Sequence, residues 1–467
     1  MTRQSAGLAA LALWCAAFAG CGVGPTYRRP DIALPDQWRE AQAVPAPTAP
    51  AIWPAADWWQ GFDSAQLDEL IAAAQRGNDD LGGAIARVRE ADAQARIAGA
   101  PLLPSLGLAA TATRERAPVS GVGNEVYNEF NPELTASYEV DFWGKNRAMR
   151  NSALATALAS RFDQQTVALT VISSVATTYF QALELRDRID VANRNLENGE
   201  KILRGLKLEQ EVGTATGLDV AQQQTTVALL YASIPPLVQQ LRQTVFALAV
   251  LVGRTPESLD IDGGPLTGLT SPAVTSGLPS ELLSRRPDVA EAEQQLVAAN
   301  ADIGAARAAL FPSIELTASG GYVSAALAGL VSPANRVYAL TGGLTQPIFQ
   351  GGALRAQVAY SRARYDELLA NYHKTVLSAL GNVESALVAV RQTAEQKQRQ
   401  QDAVVTAQRA YDFAQAQMAA GTVNILTVLN TENALFSAQD ALVQVEYSQL
   451  QSLVDLFTAM GGGWHRG

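Results

Sequence analysis

Leu134-Thr135-Ala136-Ser137-Tyr138-Glu139-Val140-Asp141-Phe142-Trp143 is the stretch on which the fold turns. Apolar side chains at 134, 136, 138, 140 and 142 alternate with 135, 137, 139, 141 and 143, four of them polar. That period of two gives a β-strand one apolar face and one wet face. Three other segments repeat it. Leu106, Leu108, Ala110 and Ala112 alternate with Gly107, Ala109, Thr111 and Thr113. Ile314, Leu316, Ala318, Gly320 and Tyr322 alternate with Glu315, Thr317, Ser319 and Gly321, and Tyr338, Leu340, Gly342 and Leu344 with Ala339, Thr341, Gly343 and Thr345. The reading is four strands of roughly ten residues in two hairpins, with loops at 114–130 and 325–335. Such strands suit an outer-membrane barrel, and equally a soluble four-stranded sheet with one wet face. Tyr138, Phe142, Trp143, Tyr322, Tyr338 and Phe349 near the strand ends suit an interfacial girdle. Four strands cannot close a barrel, which takes about eight, and lipid does not tolerate an open edge. If the strands span a membrane, several chains must pool them.

Outside the strands the period becomes helical. Asp63 to Gly99 places Leu67, Leu70, Ile71 and Ala74 on one stripe, and Pro101 ends it. Gly351 to Ala420 holds no Pro and few Gly, so about 70 residues at 1.5 Å each extend on the order of 105 Å as helix. Lys145 to Val212 is its counterpart. Both run into a Gly-Thr turn, at Gly213 and Gly421, and a returning helix follows over Leu218 to Val252 and Ile425 to Met460. Pro235-Pro236 should kink or break the first returning helix. Val404, Ala407, Tyr411, Ala414 and Met418, at three-four spacing, read as a packing seam.

The two successions are copies. Leu103-Pro104-Ser105 and Phe311-Pro312-Ser313 lie 208 residues apart, as do Gly213-Thr214 with Leu218 and Gly421-Thr422 with Leu426. Phe142-Trp143-Gly144 and Phe349-Gln350-Gly351 are offset by nearly as much. A shared offset at three markers indicates duplication within one protomer.

The first segment is an address. Arg3 precedes an apolar run from Ala6 to Phe18, too short for a span of roughly 20 residues, and Phe18-Ala19-Gly20-Cys21 follows. Small residues before a Cys resemble a bacterial lipobox, with the signal removed and Cys21 acylated. A plain secretory signal leaving Cys21 free is the alternative. Gly22 after the Cys, by resemblance to lipoprotein sorting rules, favours the outer membrane. Composition agrees with export and narrows the rest. Of 467 residues 45 are acidic and 35 basic, a net charge of −10 that argues against nucleic acid as a partner. Two Cys and two His make neither a disulfide framework nor a convincing metal site. His373 inside a long helix and His465 in the tail have no triad or ligand-spacing partner, and Gly461-Gly462-Gly463 follows a helix instead of preceding one, so no catalytic residues and no cofactor are expected.

Lipobox Cys21, Gly24-Pro25-Thr26-Tyr27-Arg28-Arg29-Pro30, Asp57-Trp58-Trp59, Asp141-Phe142-Trp143-Gly144, Arg285-Arg286-Pro287-Asp288 and Met460-Gly461-Gly462-Gly463-Trp464 together resemble the TolC-type outer-membrane efflux proteins, in particular the OprM/NodT-like lipoproteins, over essentially the whole mature chain. The resemblance implies a mainly α protein with a membrane β part: a duplicated protomer of four strands and long coiled helices, three of which form a homotrimer with a twelve-stranded β-barrel continued by an α-helical barrel. The implied organisation is a signal peptide at 1–20, a lipidated N-terminal and equatorial segment at 21–62, a first repeat at 63–252 with its hairpin at about 104–143, an equatorial linker at 253–286, a second repeat at 287–460 with its hairpin at about 312–349, and a tail at 461–467. It also implies a passive duct in the outer membrane, loaded by an inner-membrane transporter of the RND type and coupled to it by a periplasmic adaptor protein, with the covalent lipid on Cys21 as sole attached group.

The sites implied are physical. In the family the turns at the periplasmic tip touch the adaptor, here Val212-Gly213-Thr214 and Gly421-Thr422; a Gly at a helix end also serves the turn itself. Related channels narrow just past the tip with Leu and acidic side chains. Leu426 takes the Leu position, Asn430 falls on the acidic one and Asn433 on a neighbouring basic one. Three amides do not act on ions as three carboxylates do, so the expected gate is Leu426 packing and Asn430 hydrogen bonds, with Asp219 nearby. Glu432 is also near, but two residues along a helix turn it about 200° from Asn430. A helical lipoprotein spacer is the competing reading, and it has no use for four alternating strands. The cargo, whether drug, solvent, metal or metabolite, leaves no mark, although four Met and two His give no soft-metal ladder.

Overall fold

A computed structural model describes residues 22–40, 53–119, 123–272 and 279–464; Cys21 lies outside them, as does His465. In chain order the elements are α1 (Ala65–Gly77), α2 (Asp79–Gly99), β1 (Ser105–Val119), β2 (Gly123–Glu139), α3 (Lys145–Glu211), α4 (Gly217–Leu251), α5 (Pro279–Arg285), α6 (Pro287–Ala308), β3 (Ser313–Tyr322), β4 (Arg336–Thr345), α7 (Ala353–Ala419) and α8 (Ile425–Ala459). The duplication is visible in lengths: α3 and α7 are each 67 residues, α4 and α8 each 35. These residues fall in two compact units, one drawn from residues through 31, 86–161 and 291–373, the other from 32–85, 162–290 and 374 onward.

In the first unit the four strands form one antiparallel sheet in the order β1-β2-β3-β4. Its register collects the alternation of each strand on a common face. Leu106, Ala136, Ala318 and Leu340 form one row across it, and Leu108, Leu134, Gly320 and Tyr338 the next. The opposite face carries Ser105, Ser137, Thr317 and Thr341 in one row and Gly107, Thr135, Ser319 and Ala339 in another. Among the described residues nothing covers the apolar rows: Leu108 is 78% exposed and Tyr338 82%. β1 and β4 are free edges.

Three expectations need correcting. The loop expected at 114–130 is ladder, with Arg114 paired to Asn128 and Arg116 to Val126. Period two is lost there because both faces are polar, yet cross-strand contacts persist, such as the Tyr127 hydroxyl donating to Glu115 Oε2 at 2.8 Å. The single helix expected over 63–99 is split at Asn78. Its backbone N–H closes α1 on Ala74 O at 2.9 Å, while its Oδ1 caps α2 by accepting from Leu81 N at 2.9 Å. Third, α4 is not broken at Pro235-Pro236. The two carbonyls deprived of donors belong to exposed Tyr231 and Ala232, where water can take the bonds, while flanking Leu230 and Ile234 are clamped against Leu196 and Phe436. Trp143, near the end of β2, stacks on Phe311 at 4.6 Å and donates Nε1–H to Pro312 O at 2.9 Å.

The second unit holds the main core. Trp58, in the 3-10 turn Trp58–Phe62, stacks on Phe457 of α8 at 5.0 Å, and Phe62 packs on Phe180 of α3 at 5.0 Å. Leu259 and Leu266 of the 253–286 linker join the same cluster. The Arg286 guanidinium pairs with Asp288 through Nε at 3.0 Å and donates Nη1–H to Ala459 O at 2.9 Å, closing the end of α8.

Candidate functional site

The implied tip residues all lie in the second unit, where α3 turns into α4 and α7 into α8. The two turns are one device made twice. Gly213 has φ +81° and Gly421 +71°. Thr214 N–H donates to Glu209 O and Thr422 N–H to Gln417 O, both at 2.9 Å, and the two threonine hydroxyls donate to the same carbonyls at 3.0 and 3.1 Å. Each is a Schellman ending, in which a left-handed Gly lets the next N–H satisfy a carbonyl of the last helical turn. Val212, Gly213, Thr214, Gly421 and Thr422 are all exposed.

The starts of the returning helices differ. Thr216 and Asp219 make a full capping box: Asp219 Oδ2 accepts from Thr216 N at 2.8 Å and from its hydroxyl at 2.7 Å, and Asp219 N donates back to Thr216 Oγ1 at 3.2 Å. Those bonds, the hydroxyl's first, hold the Asp219 carboxyl below its ordinary value. Its charge is therefore committed to the helix end. In the second copy Asn424 Oδ1 accepts from Thr427 N at 3.3 Å, and no acid stands in the first turn.

Along α8, Leu426 and Asn430 are exposed on one side while Ile425, Val428, Leu429 and Glu432 are buried on the other. The structure thus brings Leu426 and Asn430 together on an uncovered face and places Asp219 at a helix start in a separate role. Buried Ile425, Val428 and Leu429 pack with Val220, Leu206 and Tyr411, joining all four long helices in one cluster. Within this end of the bundle sits a group the sequence reading missed: Gln223, 0% exposed, donating Nε2–H to Gly199 O at 2.8 Å. Its signal was available, since Val220, Gln223, Val227 and Leu230 share one three-four stripe. A cavity of about 740 Å³ farther along is lined by Arg186, Asp190, Arg194, Asn195 and Gln439. Its charges are of both signs, and Arg186 is engaged with Ile261 O and Gly263 O.

Comparison with known proteins places this architecture. The family model described as outer membrane efflux protein matches residues 70–254 and again 278–462, one match per copy. The pyoverdine export outer membrane protein OpmQ of Pseudomonas aeruginosa is 41% identical over 96% of this chain and 95% of its own length. The protein of the same name from Pseudomonas putida is 40% identical over 94% of each. Among solved structures, the outer-membrane channel OprN superposes with a TM-score of 0.88 at 29% identity, over 95% of this chain and all of that one. The fold is that of channels in which a β-barrel is continued by an α-helical barrel. With both halves matched and nearly the whole length shared, the chain belongs to the outer membrane efflux protein family: it is an efflux channel that spans the outer membrane and extends into the periplasm, not an enzyme.

Proposed function

We propose that this chain works as a passive homotrimeric duct, anchored by a lipid on Cys21, whose tip turns seat a periplasmic adaptor and whose narrow end is held by Leu426 and Asn430. The observation that carries the trimeric duct is the sheet: two apolar rows run unbroken across four strands that end in two free edges. Lipid admits no such edge. Three copies supply twelve strands, enough to close, with the Ser/Thr rows lining the inside. The adaptor role rests on Gly213-Thr214 and Gly421-Thr422, which expose chain with its hydrogen bonds already satisfied, a surface on which a partner can dock without unmaking the turn. An inner-membrane transporter of the RND type supplies the energy, since neither the turns nor the sheet provides a means of using any.

Planar-bilayer recording on the detergent-extracted protein tests this reading. Trimers by cross-linking and ion conductance are expected, with Leu426→Ala plus Asn430→Ala raising closed-state conductance. Monomers without conductance would favour a helical spacer, and unchanged leak in the double variant would remove Leu426 and Asn430 from the gate. Labelling with radioactive palmitate, lost in Cys21→Ser, tests the anchor. For the cargo, the 41% and 40% identity to two pyoverdine export proteins favours an exported siderophore. Deletion is then expected to lower siderophore in the medium, and an unchanged level overturns that assignment.

A further inference from the structure

We infer that Glu432 is a positioning residue for the gate: protonated, it latches α8 to α4 and keeps the narrow end closed, and ionised, it releases α8. The inference rests on Leu426 and Asn430 being the gate, because all three ride on one helix.

The observation is a buried carboxyl short of donors. Glu432 is 3% exposed, and neither of its carboxyl oxygens has a hydrogen-bond partner. The Gln223 side chain of α4 faces it. The amide gives one of its two Nε2–H hydrogens to Gly199 O of α3 at 2.8 Å and turns the other toward the Glu432 carboxyl, while Gln223 Oε1 is buried without a partner. Three buried acceptor oxygens, two on Glu432 and one on Gln223, are therefore left without a close partner where four helices pack, and the donor facing the carboxyl is the second Gln223 N–H. Buried acceptors left in this way are costly. One proton on Glu432 turns an acceptor into a donor that Gln223 Oε1 can receive.

Among the described residues no cation stands against the carboxyl to favour its charge. α7 brings Tyr411, whose hydroxyl accepts from Gln415 Nε2 at 2.7 Å and is pushed up to about 12 by burial and by Glu432 itself. Asp412 adds a further negative charge beside Tyr411. α4 brings Gln223, and α3 the Gly199 carbonyl, held close enough that a Cβ there would touch Gln223, Val227 and Leu230. Burial, opposed only by Gln223, raises the Glu432 carboxyl to about 7. Once ionised, it is a buried charge without partner, a state that proteins relieve by moving the group to water. Moving Glu432 means turning or tilting α8, which carries Leu426 and Asn430 on its exposed side.

The sign follows from linkage. In a state that opens Glu432 to water the carboxyl takes its ordinary value, 4.5. Stabilisation of the closed state is then full below that pH and is lost as pH rises through the closed-state value near 7. Within that window the open-to-closed ratio rises by up to about tenfold per pH unit per protomer.

The test is open probability of the full-length channel in planar bilayers from acid to mildly alkaline pH. The wild type is expected to open more as pH rises across the window. In Glu432→Gln the amide N–H donates to Gln223 Oε1 at every pH, so a flat, low profile is expected. A flat wild-type profile, or a wild-type slope retained in Glu432→Gln, overturns the latch. Should that variant fail to assemble, infrared difference spectra of the wild type decide: a protonated carboxyl band lost on passing through neutrality is expected, and no such band overturns the proposal. A wild type that conducts at no pH sinks the duct reading itself, a different result from a flat profile.

Discussion

Each returning helix begins after one left-handed glycine and ends at another, and the two ends teach different things. Gly213 and Gly421 at the tip, and Gly253 and Gly461 at the far ends of α4 and α8, all have positive φ. All four make the same closing bond: Thr214 N to Glu209 O, Thr422 N to Gln417 O, Arg254 N to Ala249 O and Gly462 N to Phe457 O, each at 2.8–2.9 Å. Locally the four turns are the same object. Their surroundings are opposite. A Cβ on Gly213 or Gly421 meets nothing within 4 Å, whereas one on Gly253 collides with the Gly77 carbonyl and one on Gly461 with the Arg285 carbonyl. The tip is held by its own hydrogen bonds and is free to be reshaped by a partner. The far end is held by its neighbours and is not.

Substitution should separate the two most sharply at glycine. Gly461→Ala combines a left-handed alanine with a backbone collision, and we expect a loss of about 3–5 kcal/mol, read as a large drop in Tm or in yield of assembled protein. Gly253→Ala should behave alike. Gly421→Ala carries only the left-handed penalty, about 1–2 kcal/mol, and should assemble normally. Equal costs at 421 and 461 would break the comparison, since they would mean that the tip is as tightly enclosed as the far end.

How much of this was legible in the sequence depends on whether a feature is periodic. The strands, the four long helices and the duplication rest on spacing, and the helix ends fall within one or two residues of expectation because Gly213, Gly421 and the Gly253 and Gly461 ends mark them. The polar extension of β1 and β2 had no alternation to read, since neither face there is apolar. Asn78 was invisible because one residue ends α1 with its backbone and starts α2 with its side chain without disturbing the apolar stripe around it. At the candidate site, Leu426 and Asn430 came from a family pattern, and the structure adds that they share an exposed face. Asp219 shows the limit of reading charge from sequence: the residue type suggested an aperture, but only coordinates show its oxygens spent on Thr216. The burial of Gln223 could be read from its stripe, but its pairing and that of Glu432 could not, because a polar residue on a helix says nothing about its partners.

The smallest expected effect distinguishes the two tip copies from each other. Asp219→Ala removes the two bonds that its carboxylate accepts from Thr216, leaving the 219 N–H on Thr216 Oγ1, and should cost about 1 kcal/mol. Asn424→Ala removes two long bonds, from the Thr427 N–H and hydroxyl at 3.3 Å each, and should cost about 0.5 kcal/mol. Only the first cap is ionisable. The Asp219 carboxyl is held below its ordinary value of 3.8 in the folded chain, so its contribution is present above that pH and is lost as pH falls through the lower native value. Hydrogen exchange at the first turns of α4 and α8, followed into acid, should therefore show α4 losing protection that α8 keeps. Parallel loss in both would mean that the acid response belongs to a group the two turns share, and the copies would then differ in sequence but not in how they hold the tip.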